Sequence, residues 1–222
     1  MKGEQNEKCG AFGPEARARQ NRWAFINKGC HVAPSLGSFL TFHLLAVPEI
    51  PVPSTAFLDA SDRQAILSGV EAIRAELERR LGEGRIIVGE HGDSGNEHES
   101  SSACVSDAHI HIMCLPSHVA AQTIHAKYLA AGGLPSKVGN DHEFSRWRGS
   151  SYQMLSVKSG KYMFWPHRSA FCRQFIRLAA AEAVGTPEIF NWRTHPFPER
   201  ISPHARALKL IVKEMGLSEE AA

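Results

Sequence analysis

Cys104-Val105-Ser106-Asp107-Ala108-His109-Ile110-His111-Ile112-Met113-Cys114-Leu115-Pro116 is the stretch around which the rest of the chain can be organised. It reads as one buried strand. Side chains on a strand alternate between faces, so Asp107, His109 and His111 share one face while Ala108, Ile110 and Ile112 line the other. Burying three ionisable groups on one face is costly unless they bind something or one another. The stretch is therefore a site candidate on physical grounds alone.

Working outward, the flanking segments describe an α+β chain with an antiparallel sheet. Cys30–Pro34 and Phe39–Val47 read as strands, the second apolar enough to be buried on both faces, with His43 interrupting it. Three prolines between Pro48 and Pro53 make an extended connection. The clearest helix follows. Ser61 and Gln64 form a capping-box pattern, Ile66, Val70, Ile73, Leu77 and Leu81 recur at helical spacing, and Gly82 and Gly84 supply the stop. Arg63, Arg74, Glu78 and Arg79 are assigned to its solvated face.

Arg85–Gly89 returns as a strand that Glu90-His91-Gly92 leaves, and Asp93–Ser102 has loop composition beside the His stretch. Val119–Ala131 reads as a short helix ended by Gly132-Gly133, and 134–148 as mostly irregular. Tyr152–Val157 and Lys161–Trp165 form a hairpin over Lys158-Ser159-Gly160. Ser169–Val184 reads as a helix with Phe171, Phe175 and Leu178 inward and its arginines, Arg177 among them, mostly outward. An arginine from this helix reaching a phosphate in the pocket is the minority reading. A last helix runs from His204 to Met215. The expected organisation is a flexible arm over 1–22, a core over 23–131 and a C-terminal extension over 132–222 packed on that core.

Composition narrows the function classes. The 222 residues are 43% hydrophobic and 22% charged, ordinary values for a globular protein. The 25 Lys and Arg are offset by 23 acids, which disfavours nucleic acid as the main ligand. Without an apolar run of bilayer length or a secretory h-region, a cytoplasmic protein with no membrane partner is expected. Five cysteines without tight spacing do not make a disulfide framework, and Cys9, Cys30 and His31 lack the paired spacing of a structural zinc site.

Two chemistries fit the His strand equally well from spacing alone. An imidazole can act as a nucleophile toward phosphorus, with Asp107 orienting it and a second His holding phosphate oxygens. Alternatively, Asp107, His109 and His111 offer one oxygen and two nitrogens to a divalent metal.

Asp107-Ala108-His109-Ile110-His111-Ile112-Met113 resembles the histidine-triad (HIT) motif, His-φ-His-φ-His-φ-φ, where φ is an apolar residue. Upstream, Pro34-Ser35-Leu36-Gly37-Ser38 followed by His43-Leu44-Leu45-Ala46-Val47-Pro48 is similar to the segment in which HIT proteins read Pro-Gly-His-φ-φ-φ-φ-Pro. The likeness covers roughly 23–116, and Ser169–Arg193 resembles a C-terminal extension of HIT-like proteins. Three positions depart from the pattern. Asp107 stands for the first His of the triad, Thr41-Phe42 for the Pro-Gly before His43, and Ile50-Pro51 for the usual Lys/Arg-x-His.

The resemblance implies a HIT fold, commonly a homodimer, acting on nucleoside phosphates or dinucleoside polyphosphates as hydrolase or transferase without a required cofactor. It makes His109 the nucleophile and His111 a phosphate contact. With Asp107 these are the expected catalytic residues, and His43, His91 and Ser102 the expected substrate-binding ones. The alternatives are a metal-dependent enzyme with a changed substrate, and a nucleotide-binding module without chemistry.

Overall fold

The computed structural model describes residues 24–27, 30–96 and 107–217. The arm over 1–22, Cys9, Ser102 and Cys104 lie outside these residues. The first three strands are β1 (Ala24–Asn27), β2 (Cys30–Pro34) and β3 (Phe42–Pro48). Helix α1 (Ala60–Leu81) follows, then β4 (Ile86–Gly92), β5 (Ile110–Cys114) and helix α2 (Ala121–Gly132). The edge strand β6 (Lys137–Gly139), the hairpin β7 (Tyr152–Lys158) and β8 (Lys161–Pro166), and helices α3 (Phe175–Ala183) and α4 (Ile201–Glu214) complete the order. Among the described residues, eight strands join one antiparallel sheet, in the order β1-β2-β3-β5-β4-β7-β8-β6. The expected α+β class is observed. The strands between 137 and 166 extend the same sheet that β1 to β5 begin.

Period-two parity divides the core into two layers. Leu44 and Ala46 of β3, Val88 of β4, and Ile110 and Ile112 of β5 pack under α1 and α4. Ile87, Met113 and Leu155 face the other way, toward α2 and α3. Because His109 and His111 share parity with Met113, and His43 with Leu45, the imidazoles lie on the α2/α3 face.

Several boundaries differ from the sequence reading. Helix α1 is capped by Asp59, whose carboxylate accepts from the Asp62 N–H at 2.8 Å and from the Ser61 hydroxyl at 2.8 Å, so the Ser61/Gln64 box is not used. Strand β4 runs on through Gly92 with Glu90 fully buried, accepting from the Thr55 N–H, the Thr55 hydroxyl and the Tyr152 hydroxyl. The 134–148 region contains β6 and a 3-10 turn over Asp141–Trp147.

Arg63 and Arg74, expected on the solvated face of α1, are buried. Arg74 donates to the Ser156 hydroxyl at 2.7 Å and to the Ile86 carbonyl at 3.0 Å, tying α1 to β4 and β7. Arg63 donates to the Leu58 carbonyl at 2.8 Å. Helix α3 starts at Phe175 rather than Ser169, because Gln174 takes a left-handed conformation at φ 63° that interrupts the helix before it. Among the described residues, no helix is long and apolar enough to cross a membrane.

Candidate active site

Strand register assembles four histidines on one sheet face. His111 lies opposite Leu45 of β3 and Gly89 of β4, which places His43 and His91 on the diagonals and His109 one period away along the chain. The ring centroids of His43, His109 and His91 lie 5.1, 4.9 and 6.1 Å from that of His111. All four side chains are buried. Gly89 makes room for helix α3: a Cβ there would stand 2.3 Å from Ile176 Cδ1 and 3.0 Å from the Met154 carbonyl. Gly89→Ala is expected to cost about 1–3 kcal/mol through this overpacking. Ile176→Val, which removes Cδ1, should recover part of the loss in urea unfolding of the double variant. No recovery would show that the Met154 carbonyl, not Ile176, sets the limit.

Hydrogen-bond direction fixes which nitrogen of each ring carries a proton. His109 Nδ1 lies 2.9 Å from the Asp107 carbonyl oxygen. A carbonyl only accepts, so Nδ1 donates, and Nε2 carries the lone pair of the neutral ring. His91 Nε2 accepts from the Ile176 backbone N–H at 3.2 Å, satisfying a donor at the start of α3. His43 Nε2 and His111 Nδ1 are 2.9 Å apart, and Arg177 Nη1 lies 3.2 Å from His43 Nδ1. The guanidinium has no acceptor, so His43 Nδ1 accepts and its Nε2–H donates to His111. His111 is left with its own proton on Nε2. That nitrogen is buried and has no hydrogen-bond partner among the described residues. A buried N–H in this condition costs about 1–3 kcal/mol until an acceptor arrives, which makes it a binding element for an incoming oxygen.

Burial holds His43 and His111 well below the ordinary histidine value; the Arg177 charge adds to the effect for His43, and a proton gained by His109 would add to it for both rings. Both rings stay neutral in the folded protein and gain protons on unfolding below pH about 6.5. Their contribution to stability is complete above that pH and is lost as pH falls. With two such groups, unfolding free energy should drop by about 2–3 kcal/mol between pH 7.5 and 5.5. Urea midpoints across that range check this, and a flat profile would refute it.

Asp107 is half-buried and precedes β5 rather than lying on it, which corrects the expectation of a continuous Asp-His-His strand face. The Ala108 N–H bonds to the Val52 carbonyl at 2.7 Å, outside the ladder, so the chain enters the strand only at Ile110. The contact from Asp107 that orients His109 runs through its backbone carbonyl. Among the described residues, no group of three His, Cys, Asp or Glu side chains is arranged to hold a metal ion.

Arg177 is the member of the site that periodicity misassigned. It is 1% exposed rather than solvated. Its neighbours Phe175, Ile176, Ala179 and Ala180 are all apolar and buried, whereas Glu182 near the end of the helix is exposed and pairs with Lys127; the run of apolar residues around Arg177 is the sequence signal that this part of α3 is interior.

No family model and no curated protein matches the chain. Several solved structures resemble it, three of them as follows. One is a HIT-like protein from Bartonella henselae described as involved in cell-cycle regulation, at 12% identity over 50% of this chain and 81% of that one, with a TM-score of 0.38. Another is a HIT family hydrolase from Clostridium thermocellum, at 13% identity over 51% of this chain and 95% of that one, TM-score 0.33. The third is a uridylyltransferase, at 11% identity over 78% and 75%, TM-score 0.37.

Proposed function

We propose that this chain is a nucleotide-processing enzyme, a hydrolase or nucleotidyltransferase, in which His109 attacks the α-phosphate of a nucleoside phosphate or dinucleoside polyphosphate. One observation carries the reading. Two adjacent imidazoles are held in complementary forms, His109 with its lone pair on Nε2 and His111 with a buried Nε2–H that has no partner among the described residues. A nucleophile beside a buried donor suits attack on a centre whose oxygens gain or redistribute negative charge.

In the first step the His109 Nε2–P bond forms and the bond from phosphorus to the leaving oxygen breaks, the leaving group departing as its anion or taking a proton from solvent. In the second step water, or another hydroxyl or phosphate acceptor, attacks phosphorus, the P–Nε2 bond breaks to release the neutral imidazole, and the proton of the attacking water or hydroxyl passes to solvent. The His111 Nε2–H donates to a phosphate oxygen in both steps. The Asp107 carbonyl holds the His109 ring so that Nε2 stays the nucleophilic atom.

The test is to incubate the protein with α-phosphorus-labelled nucleoside diphosphates and dinucleoside polyphosphates of each base and quench in alkali, where a phosphoramidate survives. Label carried on a peptide containing His109 supports the reading. Turnover of a substrate without any label on that peptide, or binding across the whole panel without turnover, overturns it.

A further inference from the structure

The bond between His43 and His111 is by itself reversible in direction. If His43 carried its proton on Nδ1, its Nε2 would accept from a His111 Nδ1–H at the same 2.9 Å separation. The number of His–His bonds would be unchanged, yet His111 would then present a lone pair on Nε2 instead of an N–H. A lone pair facing phosphate oxygens repels them, so the two directions have opposite consequences for the site. Something outside the pair must select between them.

We propose that Arg177 is the positioning residue that makes this selection, locking His111 through His43 in the form that offers Nε2–H to the substrate. Its catalytic consequence rests on the phosphate-directed reading above, whereas the protonation pattern itself follows from donor and acceptor chemistry. Nη1 approaches His43 Nδ1 at 3.2 Å and can only donate, which excludes a proton on that nitrogen.

The guanidinium is held in place from several sides. Nε donates to the Phe190 carbonyl at 2.7 Å and Nη2 to the Gly37 carbonyl at 2.5 Å. Nη1 also meets the Ser35 hydroxyl and the Leu36 carbonyl, each at 3.2 Å, and the group lies 5.6 Å from the centre of the Phe39 ring. A planar fork anchored at both ends cannot rotate away from His43 without breaking these bonds. Neutrality of both buried rings completes the lock, because a neutral imidazole has one N–H to place.

The test begins with the intact wild-type chain, labelled with nitrogen-15 and read by long-range proton–nitrogen correlation of the histidine rings at neutral pH. His43 and His111 should both show an unprotonated Nδ1 and a protonated Nε2. A proton on Nδ1 of either ring overturns the proposal.

The second measurement is Arg177→Met, which keeps much of the stem and removes every donor. It should show a second population with Nδ1–H on His43, a kcat lowered by about 10²-fold with a smaller change in KM, and partial recovery with added guanidinium ion. An Arg177→Met protein that keeps the wild-type pattern while losing activity would overturn the positioning role, since only a structural one would remain. Wild-type rings protonated as expected in a protein that turns over no nucleotide would overturn the phosphate-directed reading and leave the lock supported.

Discussion

His109→Ala is expected to lower kcat/KM on the protein's nucleotide substrate by about 10³-fold or more, because the variant has no atom to form the covalent intermediate. Stability should change far less. The truncation frees the Asp107 carbonyl and opens a small space among His43, His91 and His111, for a cost on the order of 1–2 kcal/mol. His111 keeps its bond from His43, so the binding donor survives and substrate affinity should persist in the inactive variant. Binding by calorimetry, urea unfolding and steady-state kinetics on the same preparation separate these three expectations. A variant with wild-type turnover would dismiss His109 as nucleophile, and one that fails to fold would show the ring to be a structural member of the sheet face.

Arg177→Met should be the most destabilising single change around the site, with a loss of about 3–5 kcal/mol. Removing the charge relieves the desolvation borne by the buried guanidinium. That relief is outweighed by what is left behind: the Gly37, Leu36 and Phe190 carbonyls and the Ser35 hydroxyl lose a common donor inside the protein. These acceptors come from the turn after β2 and from the segment after α3, so the loss also loosens the contact between them. Gly37 sits in this contact with φ 65°, and a Cβ there would stand 2.6 Å from the His195 carbonyl. Urea unfolding followed by far-UV circular dichroism measures the change. A loss below about 1 kcal/mol would mean that water or local rearrangement satisfies the carbonyls.

His109 and His111 stand out in the sequence because their i, i+2 spacing puts both rings on one side of the chain, with His109 just ahead of β5, and because unpaired buried imidazoles are expensive. Family likeness and position single out His43 and His91, and the strand register brings both next to His111. Asp107 lies off the strand, since the Ala108 N–H pairs with the Val52 carbonyl and delays the strand to Ile110, a contact that nothing local in the sequence reveals. The capping pattern at Ser61 gives way because Asp59, two residues earlier, starts the helix by accepting from the Asp62 N–H and takes up the Ser61 hydroxyl itself.

What the sequence determined by itself is the material that obeys short-range rules. The apolar spacing of Ile66, Val70, Ile73 and Leu77 specifies α1, glycines 82 and 133 end α1 and α2, and alternation from Ile110 to Cys114 decides which residues face which layer. Only the tertiary structure decided the protonation of the site. Arg177 reaches His43 across 134 residues of chain, and Arg74 reaches Ser156 across 82. Helical periodicity assigns a charged side chain to solvent because it registers only neighbours within a turn or two. Whether an arginine is buried depends on acceptors waiting for it elsewhere in the fold, and in this protein those acceptors also settle which nitrogen of His111 carries the proton.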